Sequence, residues 1–117
     1  MRCAGPDPEP RIAEAIGRMT AHLWTLRQMS LSIAGMLQAG ETPNLEAALV
    51  KDLGGAYERG VPERARVLTR RRPASGAGDD RLEVALAEAV LHAPSWTLRG
   101  GTREILRGII ARGLGLR

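Results

Sequence analysis

The chain has 117 residues, a formal net charge of +4 at pH 7 and a pI near 10.5, which leaves room for one domain and hardly for two. This basic balance permits contact with nucleic acid, an anionic membrane or a phosphorylated cofactor and selects none of them. Hydrophobic residues make up 44% of the chain, too many for a disordered protein, and aromatic residues only 3%, so Leu, Ile, Val, Met and Ala must build the core and helices are favoured over strands.

The N-terminal sequence and the cysteine content indicate an intracellular protein. Residues 1–9 are rich in proline and lack both periodicity and the apolar run of a signal peptide, so we expect a disordered lead-in. The single cysteine, Cys3, cannot form an intrachain disulfide, which is typical of a reduced compartment. No stretch approaches the roughly 20 apolar residues that span a bilayer. We therefore expect a soluble, cytoplasmic protein without a membrane span.

A long first helix is predicted over residues 10–39. Pro10 suits its first turn, where a missing N–H has no consequence, and Gly40 stands where a C-terminal cap belongs. At about 1.5 Å per residue this helix would measure roughly 45 Å, which implies a long bundle or a partner chain. Its apolar positions follow a 4-3 spacing, interrupted at Ser30: Ile12, Ile16, Met19, Leu23, Leu26, Ile33 and Leu37.

The second predicted helix covers residues 44–70, with apolar positions at Leu45, Leu49, Leu53 and Ala56. The adjacent glycines Gly54 and Gly55 weaken a helix, and close approach of another backbone would explain them. Pro62 is expected to kink or restart this helix.

Two shorter helices are predicted over residues 81–97 and 102–113. A loop at residues 71–80 precedes the first of them, with Asp79 and Asp80 as capping residues, and Pro94 is expected to end or bend it. With no convincing strand, the sequence predicts an all-α, up-down four-helix bundle over residues 10–117.

Few side chains stand out as candidates for direct chemistry. Neither His22 nor His92 has a metal-ligand neighbour, so we expect no metal site and interpret both as surface or packing residues. Trp24 lies one position off the apolar stripe and is interpreted as half-buried at a core edge or at an interface. Positive charge is concentrated around the loop, at Arg59, Arg64, Arg66, Arg70, Arg71 and Arg72. The arginines are interpreted as a solvated face, with contact to a neighbouring subunit as an alternative.

The closing segment Gly100–Arg117, GGTREILRGIIARGLGLR, resembles the end of the acyl-CoA dehydrogenases, in which a Gly-Thr turn leads into E-I-x-R-x-I-I-A-R and then L-G-L. Residues 47–54 are similar to an earlier helix of the same C-terminal domain. The resemblance thus covers residues from about 10 to 117. It implies the helical C-terminal domain of a flavoprotein oxidoreductase of fatty-acid or lipid catabolism, with FAD as cofactor and an acyl-CoA as substrate.

The resemblance also implies partners and a missing remainder. The intact enzyme would be a homo- or hetero-oligomer that passes electrons to an electron-transferring flavoprotein. In the family an N-terminal helical domain and a β-domain precede this bundle, and 117 residues cannot hold them. The chain is therefore expected to be a fragment, a cut domain or one piece of a split enzyme, inactive by itself.

Gly100 occupies the position at which many family members carry the glutamate that removes the α-proton. Glycine keeps the backbone N–H that can bind the thioester oxygen and lacks the base, so no catalytic side chain is expected in this chain. Two family precedents remain open. The base lies on an earlier helix, upstream of Met1, or it belongs to a paired chain of a heterotetramer.

Two residues of the last helix are candidates for FAD binding. Thr102 would meet a polar flavin edge at a helix N-terminus, and the alternative is a simple N-cap. Glu104 matches a family position near the flavin, and the alternative is a favourable first-turn charge. Trp96 is a further candidate, for lining an acyl pocket, and the resemblance adds contact with the CoA phosphates as an alternative for the arginines around the loop. The rival functions are a non-catalytic subunit or partner-binding module and, against the scarcity of aromatic residues, a basic nucleic-acid-binding protein.

Overall fold

The computed structural model describes residues 10–69 and 81–116. These residues form four α-helices and no strand, which confirms the predicted all-α class. The helices are α1 (Pro10–Gln38), α2 (Asn44–Thr69), α3 (Arg81–His92) and α4 (Arg103–Gly113), and a 3₁₀ segment (Ala93–Leu98) joins α3 to α4. The predicted lead-in 1–9, the loop 71–80 with its Asp79 and Asp80 caps, and the arginines at 70–72 lie outside the described residues.

Both ends of α1 follow from its sequence. The helix begins at Pro10, as predicted, and ends where Gly40 takes a left-handed φ of 81°. The N–H of Gly40 donates to the Leu37 carbonyl at 3.1 Å and the N–H of Glu41 to the Met36 carbonyl at 3.0 Å. This pair of bonds is the Schellman motif, so the predicted glycine cap is confirmed.

Helix α2 is the centre of the fold, because α1, α3, α4 and the 3₁₀ segment all pack against it. Each element contributes at least one buried apolar side chain to the shared core: Leu26, Ala48, Leu86, Ala93 and Leu106. Contact on several sides of α2 explains why the single predicted stripe describes it poorly. Leu53, a member of that stripe, is exposed, while Ala48 beside the stripe is buried.

Prolines divide the second half of the chain differently from the prediction. The α-helix of α3 ends at His92, not at 97, and the chain tightens into the 3₁₀ segment around Pro94. Two hydroxyl groups support this tighter turn, since Ser95 donates to the His92 carbonyl and Thr97 to the Pro94 carbonyl. Of the two alternatives expected at Pro62, a kink or a restart, the restart is wrong, because α2 continues through this buried proline to Thr69, close to its predicted end at residue 70.

The structural explanation offered for the glycine pair of α2 is also wrong. Apart from its chain neighbours and the backbone of α2 itself, a Cβ added to Gly54 or Gly55 would have no atom of the described residues within 4 Å. No backbone therefore approaches these glycines closely, and they leave open space on the helix surface.

Helix α1 exposes much of its apolar surface. Trp24 is 60% exposed, which contradicts its interpretation as a half-buried residue at the core edge. Four other large apolar side chains of α1 are also exposed: Ile16, Leu23, Leu31 and Leu37. Among the described helices none is long and apolar enough to cross a membrane.

Candidate functional site

The turn before α4 is built on two consecutive glycines in left-handed conformations. Gly100 has a φ of 75° and Gly101 a φ of 108°, values that side-chain-bearing residues rarely adopt. The chain then straightens at Thr102, whose backbone is extended, and enters α4 at Arg103. A glutamate at position 100, as in many members of the resembled family, would carry a side chain on this unfavourable backbone.

Thr102 is the N-cap of α4. Its hydroxyl accepts a hydrogen bond from the Ile105 N–H at 3.5 Å, and its carbonyl accepts the first helical bond, from the Leu106 N–H at 3.0 Å. The predicted capping role is confirmed. The contact of Thr102 with a cofactor remains a prediction. Its half-buried side chain lies directly after the glycine turn.

Glu104 is exposed in the first turn of α4. Its carboxylate accepts hydrogen bonds from its own backbone N–H and from the Thr102 hydroxyl, and these bonds lower the pKa of Glu104 below 4.5. The positive charges of Arg107 and Arg103 act in the same direction, more weakly than the hydrogen bonds. Glu104 is therefore held as a carboxylate at the N-terminus of the helix, where negative charge is favourable.

Asp52 fastens α4 to α2 directly beneath the turn. Its carboxylate oxygens lie 3.1 Å from Nε of Arg103 and 3.7 Å from Nε of Arg107, and its side chain is only 15% exposed. Sequence reasoning missed this residue. The available signal was its position four residues after Ala48, which puts a carboxylate on a buried helix face and calls for a cationic partner.

A groove runs from this ion pair along α2. It has a volume of about 530 Å³ and lies over the open space left by Gly54 and Gly55, between Leu23 of α1 and Trp96 of the 3₁₀ segment. Lys51 stands at the end near the turn, since its ammonium would lie 3.6 Å from a Cβ added to Gly100. The half-buried Trp96 thus lines an apolar groove, and its role in an acyl pocket remains a prediction.

The space directly under the turn is too small for a ligand. A cavity of about 10 Å³ lies among Asp52, Gly55 and Gly101, which is below the room that one water molecule needs. Any cofactor at Thr102 and Glu104 must therefore lie on the outer surface of α4.

His22 and Arg64 belong to a second cluster, between α1 and the end of α2. The His22 ring meets the Tyr57 ring edge-on with centroids 4.9 Å apart, and the Arg64 guanidinium lies 5.8 Å from the same ring. The Tyr57 hydroxyl donates to the Met19 carbonyl at 3.2 Å. His22 is thus a packing residue, as predicted, and His92 is exposed. In the described part of the chain no His, Cys, Asp and Glu group could hold a metal ion.

No family model matches the chain, and no curated protein and no solved structure matches it at a significant level.

Proposed function

We propose that this chain is the C-terminal helical domain of an FAD-dependent acyl-CoA dehydrogenase, which removes hydrogen from the α and β carbons of an acyl-CoA thioester. One observation carries the proposal. Gly100 and Gly101, with which the family resemblance begins, form a left-handed turn directly before Thr102, the N-cap of helix α4. Two consecutive glycines in this conformation are the kind of backbone that exposes N–H groups to a ligand.

The turn would serve the thioester oxygen and leave the proton to another group. Negative charge develops on this oxygen when the α-proton is removed, and backbone N–H groups stabilise it best when they are fixed in advance. Gly100 keeps an N–H and has no carboxylate. The base must then come from an earlier helix or from a paired chain, so this chain alone turns over no acyl-CoA.

The N-terminal end of α4 would form one side of the FAD site. The flavin supplies the acceptor for the β-hydrogen, and the Thr102 hydroxyl and the Glu104 carboxylate are the groups that would meet it. Both groups lie on the surface of α4, and the cavity beside them holds about 10 Å³. Additional protein must therefore enclose the cofactor, and the expected β-domain of the intact, oligomeric enzyme would supply it. An electron-transferring flavoprotein would accept the electrons from that enzyme.

The genomic neighbourhood is the first test of this proposal. We expect an adjacent reading frame that resembles the missing helical and β-domains, and co-expression of the two chains should give a yellow complex that reduces a dye in the presence of acyl-CoA. The chain alone should reduce none. A folded complex without bound flavin, or dye reduction by the isolated chain, would contradict the proposal.

A matched pair of variants assigns the turn its role. In the active complex, Gly100→Ala adds a methyl group at a φ of 75°, which side-chain-bearing residues rarely adopt, and should shift the N–H groups of the turn. We expect kcat to fall by more than about tenfold, because loss of an oxyanion donor costs about 10²–10³. Gly108→Ala has open space for its methyl group and should leave kcat unchanged.

The second candidate is a non-catalytic helical module that binds a protein partner, favoured by the exposed apolar side chains of α1. It predicts association without flavin. Nucleic-acid binding has less support, because Arg66 is paired with Glu63 and Arg64 lies over Tyr57. A salt-dependent mobility shift with duplex and single-stranded oligonucleotides would detect it.

A further inference from the structure

Helix α1 carries a second heptad seam, separate from the one that packs against α2. We call it the outer seam. Its residues follow a strict 4-3 spacing and all are exposed: Ala13, Gly17, Thr20, Trp24, Arg27, Leu31, Ala34 and Gln38. The inner side of the helix is different, because Leu26 is buried there and Met19 is half-buried beside Tyr57.

The outer seam lacks the charges of an ordinary solvent-facing helix surface. Arg27 is its only charged residue, and residues 28–40 contain none at all. Trp24 is 60% and Leu31 53% exposed at the middle of the seam. A surface helix normally places charged residues opposite its buried face, so this face is composed like an interface.

We propose that two copies of this chain associate through their outer seams as an antiparallel pair, with the two-fold axis between Trp24 and Arg27. In this register each Trp24 faces Arg27 of the second copy, and a guanidinium over an indole ring is an attractive pair. Leu31 faces Thr20 of the second copy. The ends close with small residues, since Ala34 then faces Gly17.

The flanking positions are complementary in the same register. Ile16 lies beside Leu37 of the second copy, and Leu23 lies beside its Ser30. All five large apolar side chains that α1 exposes therefore become covered. In a parallel pair Arg27 would instead face Arg27 of the second copy, and two like charges would meet at the centre of the seam.

The length of the seam suits a stable dimer. From Ala13 to Gln38 it runs roughly 37 Å at about 1.5 Å per residue. Two helices in contact over this length bury an area on the order of the ~800 Å² per partner of a standard interface. This inference does not depend on the proposed dehydrogenase function, since it uses only the surface of α1.

Disulfide cross-linking tests the register. In a Cys3→Ser background, the double variant Thr20→Cys/Leu31→Cys should form a covalent dimer under mild oxidation, because each pair of thiols faces across the axis. The two positions lie on the same helix about 16 Å apart, so they cannot bond within one chain. Thr20→Cys/Gln38→Cys, a pair that would face each other only after a one-heptad shift, should form no covalent dimer. Cross-linking of the second pair alone, or of neither, would overturn the proposed register.

Light scattering after size exclusion tests the association itself. The unmodified chain should have the mass of two chains, and Leu31→Lys should raise the dissociation constant about 100-fold or more, since two leucines leave the interface and two ammonium groups enter it. Leu91→Lys on α3, where Leu91 is 79% exposed, is the matched control and should leave the dimer intact. A single-chain mass for the unmodified protein, or a dimer that survives Leu31→Lys, would refute the proposal. Circular dichroism establishes that each variant is folded.

Discussion

Asp52 binds two arginines of α4 through one half-buried carboxylate. The substitution Asp52→Asn keeps the shape of the side chain and removes the charge that Arg103 and Arg107 share. We expect it to lower the free energy of unfolding by about 1.5–2 kcal/mol, the lower part of the range of about 1.5–3 kcal/mol for a hydrogen bond to a charged group. Urea titration followed by circular dichroism measures this change.

The exposed ion pair between Glu58 and Arg99 is the control for Asp52. Both side chains are about half exposed, and solvent screens their attraction even at the short distance of 2.6 Å. Glu58→Gln should therefore change the unfolding free energy by less than about 1 kcal/mol. Equal losses in the two variants would mean that the position of Asp52 under the turn has no special effect.

The lowered pKa of Glu104 predicts a pH dependence. A carboxyl whose pKa is lower in the folded than in the unfolded protein adds stability above its unfolded value of 4.5, and this stability is lost as the pH falls through the folded pKa. The chain should thus be more stable than Glu104→Gln at pH 7, and the difference should shrink below pH 4.5 and then vanish. Thermal melts of both proteins at several pH values measure it. A difference that stays constant down to pH 2 would contradict the hydrogen bonds assigned to this carboxylate.

At the level of the helices, the glycine pair lowers the helix propensity of α2, and no close packing by the described residues requires glycine there. Alanine at position 54 or 55 has room for its methyl group and should stabilise the protein by up to about 1 kcal/mol each, because glycine is the poorest helix former after proline. The midpoint of urea unfolding measures this gain. If the groove over the pair receives a ligand or a partner, the same variants should lose that binding.

Gly113 gives the opposite expectation within α4. A Cβ added there would lie 3.0 Å from Cβ and Cδ1 of Leu45, so Gly113→Ala requires Leu45 to shift by a few tenths of an ångström within its packing. It should destabilise the chain while Gly54→Ala stabilises it. The same change in both variants would show that helix propensity alone, without packing, decides the result.

The helices were predictable because their signals are local. Apolar periodicity, the Gly40 cap and the prolines at 10 and 94 each act within a few residues, and three of the helices end within one residue of the prediction. The contact between Asp52 and Arg103 joins residues 51 positions apart, and no periodicity in the sequence encodes that separation. Propensity rules also do not describe the space between helices. The groove over the glycine pair could therefore be found only from the three-dimensional structure.

For the whole molecule, dimerisation links stability to concentration. Because only the folded chain presents an intact outer seam, association stabilises the native state by mass action. The melting temperature should rise with protein concentration for the unmodified chain and stay constant for Leu31→Lys. Calorimetry over a hundredfold range of concentration measures the difference. If the melting temperature of neither protein changes with concentration, the chain folds as a monomer and the dimer is refuted.

The central position of α2 has a consequence for motion. Helices α1 and α4 rest mainly on α2, whereas α3 rests on α2 and the 3₁₀ segment alike, so α1 or α4 can open while the contacts of the other elements with α2 persist. Amide hydrogens of α2 should accordingly exchange with solvent most slowly, near the rate of global unfolding. Those of α3 and of the 3₁₀ segment should exchange faster, through local openings. The turn at Gly100 and Gly101 thus joins the 3₁₀ segment, which opens readily, to α4. Asp52 holds α4 to α2, the slowest-exchanging part of the molecule. Opening of the 3₁₀ segment would uncover Trp96 and widen the groove without releasing α4.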